Sequence, residues 1–245
     1  MIILFSPSEG KRAGGELPPL SASSLIFPEH YPKRLEVMEG YEKVIREGCN
    51  EALEALFGIK DTRVFERYRI SFENAPTMKA VIRYDGVAYD YLNYPTLCYE
   101  AQHYIDTHVI LFSNLFGPIR AGDAIPDYKL KQGALIEELA CDKFYKEHFS
   151  DALDEMIENQ EILDLRAGFY DKFYIPKNPI TTLKFLKDGK VVSHWAKAYR
   201  GAVLRAAAEH YIQTVDEFLA LTIEGLVLSE IIQTKKKKEI IYNIL

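Results

Sequence analysis

Two β-prone runs, Ile180 to Leu186 and Lys190 to His194, stand on either side of Asp188-Gly189. Asp-Gly favours the two-residue turn whose twist suits an antiparallel pair, so this stretch predicts a β-hairpin. Other segments demand different structure. Ile2 to Phe5 is a short apolar run closed by Ser6-Pro7, and Val109 to Phe112 is similar. Both read as buried strands. Met78 to Tyr84, ending at the turn pair Asp85-Gly86, predicts another, as does Ile162 to Leu165. Glu239 to Tyr242 reads as an edge strand.

Helical periodicity runs from about Lys33 to Phe57. There Met38, Tyr41, Ile45, Cys49, Ala52 and Leu56 repeat at three- and four-residue steps, before Gly58. Further helices are predicted from Asp61 to about Asn74, from Val87, from Thr96 to Asp106 and from Asp142 to Ile157. The longest late one covers about Trp195 to Tyr211. Thr214 with Glu217 forms a capping-box pattern for a short helix. Loops are expected from Ser6 to Ser24 and from Gly117-Pro118 to about Pro126. Short strands and helices mix without a regular βαβ count, so the class is α+β. A single domain over 1–245 is expected, without repeats or a flexible linker.

The 245 residues are 48% hydrophobic and 27% charged, an ordinary folded composition. The net charge of −6 excludes a globally basic nucleic-acid binder, so any anion site must be local. Cys49, Cys98 and Cys141 are too sparse for a disulfide framework. No apolar stretch approaches the length of a membrane span. The opening apolar run has no basic residue ahead of it, so no signal peptide is read. Cytoplasm is the expected compartment. The six histidines show no metal-ligand spacing, and neither metal nor other cofactor is expected.

Local chemistry concentrates in a few places. Ser6-Pro7-Ser8-Glu9-Gly10-Lys11 is a serine- and glycine-rich loop that could cradle an anion, although Phe5 stands where a P-loop needs glycine. On the helix from Trp195, the cations Lys197, Arg200 and Arg205 fall within an arc of about 140°. Gly201 lies between them at a helix cost of roughly 1 kcal/mol, which implies close approach of another backbone or a ligand. Three cations around a glycine suit phosphate or carboxylate recognition. A solvated face paired with acids such as Glu209 is the plainer alternative. Arg83 with Asp85, and Arg120 with Asp123, place opposite charges in loops after strands. The run Lys235 to Lys238 reads as a solvated end or strand-edge guard, or as a nucleic-acid contact.

In order along the chain, these segments resemble the YaaA family of bacterial peroxide-stress proteins. Ile3-Leu4-Phe5-Ser6-Pro7 is similar to that family's opening strand and its Ser-Pro. Val81-Ile82-Arg83-Tyr84-Asp85-Gly86-Val87-Ala88-Tyr89 resembles its Lys-Gly-Asp-Val-Tyr segment. Ile110-Leu111-Phe112-Ser113-Asn114-Leu115-Phe116-Gly117-Pro118-Ile119-Arg120, with Asp123, resembles its Leu-Ser-Gly-Leu-Tyr-Gly-x-Leu-Arg-Pro-x-Asp run. Tyr128-Lys129-Leu130 is similar to its Pro-Tyr-Arg-Leu. Trp195-Ala196-Lys197-Ala198-Tyr199-Arg200-Gly201 with Arg205 resembles its Tyr-Ala-Lys-x-Ala-Arg-Gly. Asn114 departs from a family glycine, Ala121-Gly122 from Pro-Leu, and Lys131 from glutamate. Asp164 to Tyr170 is a loose version of Asn-Leu-Ala-Ser-x-Glu-Tyr.

The resemblance implies a cytosolic protein that limits peroxide damage and is associated with lowered free iron. It also implies a compact α+β fold, with a mixed sheet surrounded by helices and a helix-hairpin-helix element near the C-terminus. That element falls at about 211–230, with Gly225 in its turn. Binding to duplex or branched DNA is implied as well, yet this stretch carries acids and no lysine or arginine. Three functional expectations are open. In the first, Lys11, Arg83, Arg120, Lys197, Arg200 and Arg205, with Ser6, form a basic cleft for DNA. In the second, the same cleft takes a nucleobase, nucleotide or other small anion. Lys197 would then be nucleophile or stabiliser, and Asp85 or Asp123 acid/base. The third is iron handling by scattered His, Asp and Glu, which lacks local spacing.

Overall fold

A computed structural model describes residues 1–245, the side chain of His194 excepted. The strands in chain order are β1 Ile2–Phe5, β2 Gly10–Lys11, β3 Thr77–Lys79, β4 Tyr84–Asp85, β5 Val109–Ser113 and β6 Gly117–Arg120. They continue as β7 Ala124–Pro126, β8 Ile162–Asp164, β9 Ile180–Lys187, β10 Lys190–Val191, β11 Leu226–Gln233 and β12 Lys237–Ile244. The α-helices are α1 Tyr31–Glu47, α2 Asn50–Phe57, α3 Ala80–Arg83, α4 Val87–Leu92, α5 Tyr99–His108, α6 Cys141–Met156, α7 Ser193–Glu209 and α8 Val215–Leu219.

The short apolar runs become the centre of one mixed sheet, ordered β11-β12-β9-β8-β1-β5-β6, with β10 added to β9. Strands β12, β9, β8, β1 and β5 are mutually parallel. β11 and β6 close the sides antiparallel. Every residue of β5 is buried, the expected state of a strand covered on both faces. Around this sheet the buried apolar side chains form one core cluster.

The hairpin forms about the expected Asp-Gly turn, but its second strand stops at Val191 and the following helix begins at Ser193. Asp188 and Gly189 both take positive φ, 51° and 73°, the conformation that turn needs. β9 extends five residues beyond Thr182, its partner opposite Asp164 at the end of β8. The hairpin therefore projects past the carboxyl edge of β8 by roughly 16 Å.

Several elements differ from the sequence expectation. The helix read from Lys33 to Phe57 breaks in two, because Gly48 is extended at φ −67°, ψ 142°. Met38, Tyr41, Ile45 and Leu56 are buried, and Cys49, at the break, is exposed. Asp61 to Asn74 holds only a 3-10 turn, Thr62–Arg67. Met78 to Tyr84 is strand, one helical turn and strand again, and its strands pair outside the main sheet, β3 with β7 and β4 with β2. The loop to Pro126 contains β6 and β7. The tail strand β12 lies inside the sheet, and the edge is β11.

The segment 211–230 does not hold two helices about a glycine turn. Thr214 caps the five-residue α8, its hydroxyl accepting from the Glu217 amide at 3.1 Å. Gly225, at φ 77°, leads directly into β11. Leu226 pairs with Ile244, and sheet pairing takes the residues that the second helix would have used.

Candidate functional site

Parallel strands send their following loops to one edge of a sheet, where ligands are commonly held. Here the loops after β1 and β8 are tied together. The Ala167 amide donates to Ser6 Oγ at 2.8 Å, and the Tyr89 hydroxyl donates to the Ser6 carbonyl at 2.9 Å. Ser113, at the end of β5, shares a hydroxyl bond with Tyr128 at 2.8 Å, and Tyr128 with Tyr84 at 2.9 Å. The resemblance segments around Ser6, Tyr84, Ser113, Tyr128 and Asp164 therefore meet at this edge, although they are far apart in the chain.

Lys11 stands at the meeting point. Its backbone is fixed by the β2–β4 ladder, Lys11 opposite Tyr84 and Gly10 opposite Asp85. Gly10 is required there, since a Cβ would lie 2.6 Å from the Asp85 carbonyl oxygen. The Lys11 ammonium donates to the Ser8 carbonyl at 3.2 Å and lies 4.1 Å from the Tyr128 ring centre and 5.3 Å from that of Tyr84. Burial, and then the like charge of Lys129, push its pKa down to about 7, against the pull of Asp127 and Glu9.

The other end of the edge is cationic too. Arg166 is buried and forks onto Asp164 at 2.9 and 2.7 Å, and it also donates to the carbonyls of Tyr170 and Tyr174. Arg200 reaches towards Asp164 and Asp171 from α7, with its pKa lowered by burial. Among the described residues it has no hydrogen-bond partner. At the start of α7, Trp195 is exposed, with Lys187 Nζ of the projecting hairpin 5.0 Å from its ring centre. Lys190 and Lys197 are exposed beside it in the chain.

The remaining expected site residues are placed elsewhere. Arg83 is fully buried, and it donates to the carbonyls of Arg12, Gly14 and Ile125. Arg205 clasps the carbonyls of Leu92 and Asn93 and pairs with Glu209 at 2.8 Å. Both guanidiniums hold the fold together, and neither is available to a phosphate. Arg120 lies opposite Ile110, three residue levels from Ser113 towards the amino ends, or about 10 Å. Asp123 is beside it, accepting from the amides of Ile26 and Arg120 at 2.9 Å. That pair does not join Ser6 and Lys11, because β6 runs antiparallel and carries it to the other end of the sheet. Asp85 is near the Lys11 loop, exposed and 3.9 Å from Arg12. Gly201 answers to a backbone: a Cβ there would lie 2.0 Å from the Ala88 carbonyl of α4.

Sequence reasoning did not single out Tyr84, Tyr128 or Ser113 as site residues. Their signal was the resemblance segments, which become a site only when parallel pairing superposes the strand ends. Among the described residues no three His, Cys, Asp or Glu side chains converge as a metal site, and no helix is long and apolar enough to cross a membrane.

Known proteins are similar to this one over nearly the whole chain. Residues 1–231 match the family model described as peroxide stress protein YaaA. The chain is 48% identical over 245 residues to an uncharacterized protein of Campylobacter jejuni, with 100% of each chain covered. It is 33% identical over 242 residues to a UPF0246 protein of Corynebacterium glutamicum, covering 94% of this chain and 95% of the relative. A UPF0246 protein of Streptomyces coelicolor is 30% identical over 222 residues, covering 84% and 82%.

Proposed function

The chain belongs to the peroxide stress protein YaaA family, and from that premise we propose that it acts in the cytoplasmic response to peroxide by binding DNA along the carboxyl edge of its sheet. The observation that carries this reading is the exposed Trp195 with Lys187 over its ring, on the same helix as an Arg200 that has no partner among the described residues. An aromatic face for stacking beside cations for phosphate is the usual composition of a nucleic-acid groove. The N-terminus of the 17-residue α7 opens there and adds its positive dipole end. The acceptor surface is smaller than the six cations expected from sequence, since Arg83 and Arg205 are engaged in the fold and Arg120 is remote.

Fluorescence anisotropy with a labelled duplex at about 50 and about 200 mM salt tests it. Binding should fall with salt and be lost in Arg200→Glu. Absence of binding at the lower salt would overturn the DNA reading.

A second reading is favoured by Lys11. An amine held among tyrosines at a strand-loop edge suits a small anion, a nucleotide or sugar phosphate, and is poised for chemistry near neutral pH. Lys197, which the sequence put forward for that role, is exposed on the outer part of α7.

A further inference from the structure

The acids nearest Lys11 are engaged with other cations. Glu9 is 3.6 Å from Lys129 Nζ, and its Oε1 accepts from the Gln132 amide at 3.0 Å. Asp127 Oδ2 is held by Arg67 Nε at 2.8 Å. Its other oxygen, Oδ1, is buried with no donor among the described residues. The Lys11 amine thus has one carbonyl acceptor, two aromatic walls and a like-charged neighbour. Removing an ammonium from water without a close counter-ion is unfavourable, so this setting stabilises the neutral amine. A neutral lysine in an aromatic enclosure is a carbon-directed nucleophile.

We propose that Lys11 Nζ forms an imine with the carbonyl carbon of a phosphate-bearing aldehyde held at the carboxyl edge. This rests on the anion-site reading above. The nitrogen lone pair attacks the aldehyde carbon, the carbonyl π pair passes to oxygen, and one proton moves from the nitrogen to that oxygen to give the carbinolamine. The carbinolamine then loses water, leaving C=N. The sum is amine plus aldehyde giving imine plus water, with no oxidant or reductant. Asp127 Oδ1 is the nearby buried base without a donor, and the Tyr128–Ser113 and Tyr128–Tyr84 hydroxyl bonds form a short chain at the enclosing wall. Arg200, facing the 164–171 loop, supplies the cation for the phosphate. The lowered pKa of Lys11, about 7, agrees with this geometry.

The same chemistry can come from a free sugar phosphate or from the opened sugar of an abasic site in DNA. The full-length protein is incubated with 2-deoxyribose 5-phosphate, or with a duplex carrying one abasic site, each with cyanoborohydride. Adducts are mapped by peptide mass spectrometry. The expected result is a reduced adduct on Lys11 in at least one arm, forming faster at about pH 8 than at about pH 6. The adduct should be lost in Lys11→Arg, with that variant's thermal melt checked for folding. Whichever arm labels identifies the source. No adduct in either arm, or adducts spread over surface lysines and unchanged in Lys11→Arg, overturns the proposal. Anisotropy of the same abasic duplex without reductant separates the two readings. Binding without an adduct removes the imine and leaves the DNA site, whereas an adduct with the free sugar phosphate and no DNA binding does the reverse.

Discussion

At the scale of single residues, cations of one type divide into fold-builders and candidates for ligand contact. Arg34 is fully buried and donates to the carbonyls of Ile26, Phe27, Phe116 and Pro118, and Arg83 does the same with three others. Arg83→Met should cost about 2–4 kcal/mol in a urea titration, since it strands buried carbonyl oxygens. Arg166→Met leaves the buried Asp164 carboxylate alone and should cost about 3–5 kcal/mol by the same measurement. Lys11 behaves in the opposite sense. Its folded pKa of about 7 lies below the ordinary 10.5, so the unfolded chain holds the proton more tightly between those values. Stability contributed by this group is absent below about pH 7 and grows as pH rises towards 10.5. Urea midpoints for wild type and Lys11→Met, compared at about pH 7 and about pH 9.5, should show the wild type gaining more on the alkaline side. Equal gains would remove the argument that the amine is held neutral.

At the scale of elements, α7 is both packing surface and candidate site. Its glycine lets α4 approach, and its outer turns carry Lys197 and Arg200. Gly201→Ala improves helix propensity by up to roughly 1 kcal/mol, yet it drives a methyl into the Ala88 carbonyl. The net should be a loss of about 2 kcal/mol, seen as a lower thermal midpoint. The same helix shows how far local reading went. Its extent was legible to within two residues, as were β1, α6 and the Asp-Gly turn itself, since periodicity and turn chemistry act over neighbours. The break at Gly48 was not legible, because an apolar face continues across it and only packing decides where the chain turns. The failure of a second helix after Gly225 has the same origin. Leu226 to Gln233 is apolar enough for either state, and pairing with β12 selects the strand.

At the scale of the whole molecule, net charge and sheet edges set its behaviour. On the proposed DNA reading, a chain of charge −6 with a short cationic strip should lose roughly a hundredfold in affinity between about 50 and about 200 mM salt, as expected for three or four phosphate contacts. A flat response across that range would point away from backbone contacts. The open edge is β11, where Val227, Leu228, Ile231 and Ile232 are all exposed. It is interrupted by a register shift between Leu228 and Glu230 and by the charge of Glu230. Such irregularity and charge discourage edge-to-edge pairing. Glu230→Val should therefore raise self-association, measurable by light scattering during mild heating.

Sequence alone determined the apolar strands, the hairpin turn, the amphipathic helices and the likeness to a family, since each is written in residues a few positions apart. It also put Ser6, Lys11 and Arg200 among the functional candidates. Only the tertiary structure decided which charged groups share a site. Parallel pairing of β1, β5 and β8 gathers loops more than a hundred residues apart, and the antiparallel turn into β6 sends Arg120 and Asp123 to the far end. Burial then sets the state of each cation: backbone carbonyls and acids engage Arg83, Arg166 and Arg205, while tyrosine rings enclose Lys11. Those partners come from distant parts of the chain, and no local pattern encodes them.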